Sequence, residues 1–383
     1  MNIEPALKAL AAALHGEGPA VELSAGPHGE PVVTPVPTPG FEDAVAVVRT
    51  SGSTGTPKAT VLTVDALAAS SMATAFALKG EGQWLLALPL QYVAGVQVLV
   101  RSLFASTRPW AMDLSEGFTA EGFTAAALEL TDNIRFTSLV PTQLQRLLAS
   151  PSADTLAVLR RFNGILLGGA PASAELLQSA RDAGLRVVTT YGAAETCGGC
   201  VYDGYPLEGV ALRLAQDGRI HLGGATLAAG YLGAPRQTAE VFVEEDGGRW
   251  YRTNDLGTLD ADGRLTVLGR ADDAIITGGV KVSAAHVQAE LEKSDGVTAA
   301  FVAGVESAKW GQAVAAYVAV AGTASGADGA GRDGAAWAEE WHRTLGLLAP
   351  KTVLPAGELI MLPNGKPDRL AMIERLNALH QGK

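Results

Sequence analysis

Ala44-Val45-Ala46-Val47-Val48-Arg49-Thr50-Ser51-Gly52-Ser53-Thr54-Gly55-Thr56-Pro57-Lys58 is the stretch on which the reading of this chain turns. The apolar run 44–48 is bounded by turn residues and reads as a buried strand. A Gly/Ser/Thr loop from Thr50 to Lys58 follows it. A strand feeding such a loop lets backbone N–H groups and hydroxyls wrap a polyphosphate, and glycine permits close backbone approach. The loop is not a Walker A sequence, which closes on Gly-Lys-Ser/Thr, because Pro57 precedes Lys58 and Ala59 follows it. The plain alternative is a solvated turn. The loop therefore gains its meaning from what stands around it.

A chain of 383 residues exceeds one ordinary core and implies more than one domain. The formal charge of −11 argues against nucleic acid or an anionic membrane as the main partner, while leaving nucleotide binding open. The chain opens Asn2-Ile3-Glu4-Pro5, with neither the basic start nor the apolar centre of a signal peptide. Its most apolar window, Trp84 to Phe104, is interrupted by Pro89, Gln91, Gln97 and Arg101 and suits a strand and a helix, not a membrane span. Cys197 and Cys200 form a lone Cys-Gly-Gly-Cys. Without a second pair or spaced histidines this reads as two reduced thiols, not a zinc site or a disulfide.

Along the chain, a helix over 4–14 and a Pro-rich connector from Pro27 to Gly40 lead into alternating strands and helices. Strands are expected at 84–88, 136–140, 164–167 and 187–190, and helices at 94–103, 141–149 and 172–183. Such alternation implies mainly parallel sheets covered by helices. After Gly204 the segments 210–214, 219–222, 248–253 and 265–268 are short and separated by turns, as in a small antiparallel unit, and Asp262-Gly263 is a hairpin signal. The last part joins a helix over 284–293 with strands over 299–305 and 313–320. A Gly/Ala/Asp stretch from Ala321 to Gly334 then precedes a helix over 337–345. The fold class is α/β: a large N-terminal domain over 1–270 and a small mobile α+β domain over 271–383.

Five more stations carry chemistry. Gly168-Gly169-Ala170-Pro171 ends a strand, where open parallel sheets bind ligands. Tyr191-Gly192-Ala193-Ala194-Glu195-Thr196 ends the next one and puts a ring and a carboxylate at the same edge. Tyr251-Arg252-Thr253-Asn254-Asp255-Leu256-Gly257 offers a carboxylate suited to a ribose diol, and Gly269-Arg270-Ala271-Asp272-Asp273 precedes the Gly278-Gly279 turn. Pro363-Asn364-Gly365-Lys366-Pro367 displays a lysine near the C-terminus. Taken singly, Glu195 also reads as a helix N-terminal charge, Asp255 as a turn residue and Lys366 as a loop lysine.

In kind and in order, these stations over residues 44–370 resemble the adenylate-forming superfamily of acyl- and aryl-CoA synthetases, luciferases and peptide-synthetase adenylation domains. The resemblance implies that Thr50, Ser51, Gly52, Ser53, Thr54, Gly55 and Lys58 hold the ATP phosphates. It implies that Gly168, Gly169 and Ala170 lie along the adenine, with Tyr191 and Gly192 beside it. Glu195 would hold Mg²⁺, and Asp255 and Arg270 the ribose. Asp272 would be the hinge of the C-terminal domain, and Lys366 the cation that bridges carboxylate and α-phosphate. Gly278 and Gly279 would line the channel for coenzyme A. Because the lysine must leave before a thiol can enter, a domain with two positions follows from the chemistry.

Leu88-Pro89-Leu90-Gln91-Tyr92-Val93-Ala94-Gly95 resembles the superfamily's Pro-Leu-x-His-x-x-Gly segment, with Tyr92 where His is usual. Few residues precede the phosphate loop. That short N-terminal part, Gln97 to Leu103 and Cys197-Gly198-Gly199-Cys200 together look like the actinobacterial form of the o-succinylbenzoate–CoA ligases of menaquinone biosynthesis. The resemblance implies ATP, Mg²⁺ and coenzyme A as cofactors and a small carboxylic acid as substrate, with one substrate carboxylate resting on Arg101 and the acid pocket near Tyr92. The plain reading of Arg101 is a side chain that snorkels or pairs with an acid. A homodimer in the cytoplasm is the expectation. Competing readings are another acyl- or aryl-CoA ligase, a stand-alone adenylating enzyme, and a degenerate nucleotide-binding module.

Overall fold

The computed structural model describes residues 1–26, 29–50, 57–320, 334–362 and 367–382. Ser51, Gly52, Ser53, Thr54 and Gly55 of the loop, the 321–333 stretch and Lys366 lie outside the described residues. The chain divides into a larger unit (Met1–Ala215, His221–Thr253, Asp260–Leu265) and a smaller one (Gln216–Ile220, Asn254–Leu259, Thr266–Lys383).

The larger unit holds a seven-stranded sheet in the order Tyr205–Pro206, Gly198–Tyr202, Val187–Ala193, Gly164–Leu167, Arg135–Leu139, Gln83–Leu86, Trp110–Ala111. From Val187–Ala193 to Trp110–Ala111 all pairs are parallel; Gly198–Tyr202 turns back antiparallel on Val187–Ala193. The strands are apolar on both faces because both faces are covered. Trp84, Leu86, Phe136 and Leu166 point into one core, shared with the helices Glu4–Leu14, Val64–Ala77 and Val93–Phe104. Leu85, Leu139, Ile165 and Leu167 point into a second core under Ala120–Leu128, Pro141–Ala149, Ala153–Arg160 and Ala174–Asp182.

The strand Ala44–Thr50 lies in a different sheet, ordered Gly230–Tyr231, Lys58–Thr63, Ala44–Thr50, Val21–Ala25, Pro31–Pro35. It pairs antiparallel with Lys58–Thr63, so the Gly/Ser/Thr loop spans a hairpin. A connection this short cannot make the crossover that a parallel pair needs. Lys58 is thus the first residue of a strand, not the last of a loop. The Pro-rich connector also departs from expectation, since Pro31–Pro35 pairs antiparallel with Val21–Ala25. As the last strand of its sheet it tolerates proline.

The smaller unit centres on a sheet ordered Val280–Ser283, Ala274–Thr277, Gly311–Val320, Val297–Ser307, with Thr352–Ala356 on Gly311–Val320. The helices Ala284–Leu291 and Gly334–Leu345 contribute Val287, Leu291, Trp337 and Trp341 to one face, and Arg369–Gln381 contributes Met372 and Leu376 to the other. Gly278 and Gly279, with φ of 55° and 82°, make a two-residue hairpin between Ala274–Thr277 and Val280–Ser283. Two successive left-handed residues are the requirement of such a turn.

Leu99 is fully buried on Val93–Phe104 and tests the first core. Leu99→Ala should cost about 2–5 kcal/mol in urea unfolding; a change inside measurement error would mean that this core is not packed as described.

Candidate active site

The parallel strands of the larger unit deliver several of the expected residues to one edge, the carboxyl ends of the strands. Gly168 follows Gly164–Leu167, and its N–H donates to the Leu139 carbonyl at 3.1 Å. A Cβ on Gly168 would stand 2.3 Å from the Thr190 hydroxyl, which explains why glycine is needed. Gly169 is exposed in the left-handed region, with Ala170 half-buried beside it. Tyr191 and Gly192 lie near the end of Val187–Ala193, where Gly192 stands so close to Gly198 that an added Cβ would meet its carbonyl at 2.1 Å. Tyr92 caps the start of Val93–Phe104 at the same edge, and Gly95 packs against the Pro89 carbonyl too tightly for any side chain.

Glu195 sits in the single turn Ala194–Thr196 that follows. It is 6% exposed, and its Oε1 accepts a 2.7 Å hydrogen bond from the Tyr231 hydroxyl. Its backbone carbonyl accepts from the Ala228 N–H. Thr196 holds the turn together by accepting from the Ala193 N–H and donating to the Gly198 carbonyl at 2.7 Å. A buried carboxylate is costly unless hydrogen-bonded or paired with a cation. Among the described residues none forms an ion pair with Glu195. A carboxylate oxygen is a hard donor of the kind Mg²⁺ takes, so the chemistry of this side chain fits a divalent ion.

Tyr231 is a neighbour of this edge that the sequence did not single out. Its ring lies 5.0 Å from the Lys58 ammonium and edge-on to Phe242, so one side chain touches both the first residue of Lys58–Thr63 and the buried carboxylate. Burial first, then the Glu195 charge, pushes its phenol well above the usual range, which keeps it a donor. Arg249 fixes the approach to Tyr231 by donating to the carbonyls of Ala228 and Ala229 at 2.8 and 2.7 Å. The signal was available in Gly230-Tyr231, a glycine and a ring beside Lys58–Thr63, but a register between distant segments (Tyr231 opposite Thr60) is invisible in one sequence.

Arg101 does not join this group. Helix Val93–Phe104 starts at the site edge and runs back along the sheet, and at roughly 1.5 Å per residue it carries Arg101 about 13 Å from Tyr92. There it is buried at the opposite end, its guanidinium 5.2 Å from the Trp84 ring near the start of Gln83–Leu86. Among the described residues the Trp84 ring is what stands against the Arg101 guanidinium, and a contact with a substrate carboxylate stays an expectation of the sequence. Cys197 and Cys200 are free and buried beside the Glu195 turn. Burial raises both thiols, Cys200 to about 12.

In the smaller unit, Asp255 is half-buried on Gly248–Leu259, and its charge helps raise the Arg270 guanidinium. The main cause of that rise is Asp272, which accepts two 2.8 Å bonds from Arg270 in a fork. Burial opposes ionisation of Asp272, yet the Arg270 bond and charge outweigh it and leave the carboxyl below its ordinary range. Asp273 accepts from Arg369 and is held above the ordinary range by burial. The proposed hinge is therefore a charged knot, anchored to the C-terminal helix Arg369–Gln381.

Residues 5–232 match the family profile described as AMP-binding enzyme. The chain belongs to that family. It is 44% identical over 281 residues to a "Probable 2-succinylbenzoate--CoA ligase" of Mycobacterium tuberculosis, a match covering 73% of this chain and 72% of the relative. A 2-succinylbenzoate–CoA ligase of Bacillus licheniformis is 32% identical over 311 residues, covering 75% of this chain and 62% of the relative. Among solved AMP-binding enzymes, ATP-bound MatB from Rhodopseudomonas palustris superposes with a TM-score of 0.76 at 25% identity, over 93% of this chain and 74% of the other. The O-succinylbenzoate coenzyme A synthetase of Bacillus subtilis, in complex with ATP and magnesium ion, gives 0.69 at 26% identity over 86% and 70%. The two-domain α/β architecture read from the sequence is that of these AMP-binding enzymes.

Two outcomes test this geometry. Native protein should leave both cysteines unreacted with a thiol reagent near pH 8, and unfolding should release both; fast labelling of the native state would contradict their burial. The raised phenol binds its proton in the folded state after the unfolded one has lost it near pH 10, so stability falls as pH rises through that range. Tyr231→Phe should cost about 1–3 kcal/mol near neutral pH and flatten part of the alkaline decline, both read by urea unfolding.

Proposed function

We propose that the protein is an ATP-dependent 2-succinylbenzoate–CoA ligase, forming an acyl-adenylate and then the CoA thioester. The observation that carries this reading is the 44% identity over 281 residues with the mycobacterial ligase. The site supports it with a buried carboxylate that forms no ion pair among the described residues, at a sheet edge also holding Gly168, Gly169, Ala170, Tyr191 and Tyr92. The product feeds menaquinone biosynthesis in this reading. A homodimer in the cytoplasm completes it; no helix among the described residues is long and apolar enough to cross a membrane.

In the first step a carboxylate oxygen of the acid attacks the α-phosphorus of ATP, and the bond to pyrophosphate breaks. Both partners are anionic, so the task of the protein is to hold them together and stabilise the charge that develops. Thr50 to Lys58 would bind the phosphates, Tyr231 bracing the lysine. Glu195 would take Mg²⁺, held in place by Tyr231. When bound there, Mg²⁺ would supply charge neutralisation for the leaving pyrophosphate. Asp255 and Arg270 would take the ribose, and Lys366, outside the described residues, would bridge the reacting carboxylate and the α-phosphate. In the second step the CoA thiolate attacks the acyl carbon and AMP leaves. Asp272 would serve as the hinge between the steps, with the 1–270 and 271–383 domains changing their relation, and Gly278 and Gly279 would flank the pantetheine arm.

Pyrophosphate release should be confined to 2-succinylbenzoate within a panel that includes benzoate, 4-chlorobenzoate, medium-chain fatty acids and amino acids, and CoA should accelerate it. Turnover with another acid would keep the family and discard the substrate. Lys366→Ala should lower adenylation about a hundred- to a thousandfold while sparing thioester formation from supplied adenylate; equal loss in both would contradict the two-position scheme. Arg101→Met should lower the melting temperature and leave the KM for the acid unchanged. A large rise in that KM would instead support the expected contact between Arg101 and a substrate carboxylate.

A further inference from the structure

We propose that Gln97 is a positioning residue for Glu195: by holding the Cys197 carbonyl it keeps residue 197 in the left-handed conformation that closes the Glu195 turn. The inference rests on the reading of Glu195 as the metal carboxylate. Gln97 is fully buried on a helix whose neighbours are Val96, Val98, Leu99 and Val100. Its Nε2 donates to the Cys197 carbonyl and to the Ser70 hydroxyl, the latter at 3.1 Å. Ser70, from the helix Val64–Ala77, donates to the same carbonyl at 3.2 Å. Two helices thus converge on one backbone oxygen.

The residue that owns this oxygen is unusual. Cys197 has φ of 52° and ψ of 36°, a region that crowds Cβ and that glycine adopts far more readily. It directly follows Ala194–Thr196 and directly precedes Gly198, whose carbonyl binds Thr196. If residue 197 relaxed to the right-handed region, the turn carrying Glu195 would swing away from the strand Gly198–Tyr202. The Oε1 of Gln97 has no partner among the described residues. A buried amide with an orphaned acceptor is a disadvantage that an apolar side chain would avoid. The bond from Nε2 is what accounts for glutamine at this position.

Gln97→Met keeps the shape and removes the donor. Three readouts follow it: Mg²⁺·ATP binding by calorimetry, CoA-independent pyrophosphate release, and hydrogen exchange of the 194–199 amides. The variant should weaken Mg²⁺·ATP binding and slow release by about tenfold or more, the scale that follows a small misplacement of a catalytic group. The KM for CoA should be unchanged and amide exchange faster. Adding Cys197→Gly should recover much of the loss, because glycine reaches the left-handed region without a clamp. Loss that Cys197→Gly leaves untouched would overturn the proposal. So would a changed acid preference with Mg²⁺·ATP binding intact, which would assign Gln97 to the acid pocket. If the double variant does not fold, unchanged amide exchange in Gln97→Met alone overturns it. Failure of the ligase reading shows separately, as a wild-type protein that binds no Mg²⁺·ATP; the exchange measurement then still decides whether the clamp exists.

Discussion

The hydrogen bond from Tyr231 to the buried Glu195 carboxylate organises the end of the strand Val187–Ala193. A buried carboxylate is costly unless it is hydrogen-bonded or paired. Here a phenol whose own ionisation is suppressed supplies a permanent donor on one oxygen. The rest of the neighbourhood can be read as support for that bond. Arg249 pins Ala228 and Ala229, the antiparallel pair of Gly230–Tyr231 with Lys58–Thr63 sets the ring, and Thr196 locks the turn. The same ring faces Lys58, so the two groups assigned to the phosphates and the metal share one rigid support.

The smaller unit uses a different device. Its site candidates Asp255, Arg270 and Asp272 are partly exposed and bound to one another by charge, with Asp272 and Arg270 in a forked pair. Exposed pairs of this kind contribute little stability. Such a pair can exchange partners, which suits the ribose and hinge roles proposed for Arg270 and Asp272. The Gly278-Gly279 hairpin, by contrast, is fixed by turn geometry, and any role toward a substrate arm is additional to that.

What was legible in the sequence follows from physical locality. The strand Gly164–Leu167 and the helix Pro141–Ala149 were readable because a continuous apolar run and a proline-opened helix declare themselves within a few residues. The places of Gly168 and Glu195 just past strand ends were readable because each follows an apolar run of the alternating strand–helix pattern. The helix Val64–Ala77 was not, since its buried stripe is made of Ala66, Ser70, Ala73 and Thr74, small and polar side chains that carry no hydrophobic period. The packing of Arg101 against Trp84 was not readable for a related reason: residue type and spacing give the face of a helix but not which end of the sheet it reaches. Tyr231 and Gln97 act through pairings across 36 and 100 residues, a separation at which one sequence carries no signal.

The central claim is that an acid is activated as its adenylate before thiol attack. The most direct measurement is oxygen transfer: 2-succinylbenzoate labelled with ¹⁸O in its carboxylates, ATP and CoA are turned over, and the nucleotide product is weighed by mass spectrometry. The account predicts AMP carrying one ¹⁸O, since the attacking oxygen becomes the bridge to the α-phosphorus and leaves with AMP when the thiolate attacks. AMP without label, or ADP with label in released phosphate, would contradict it.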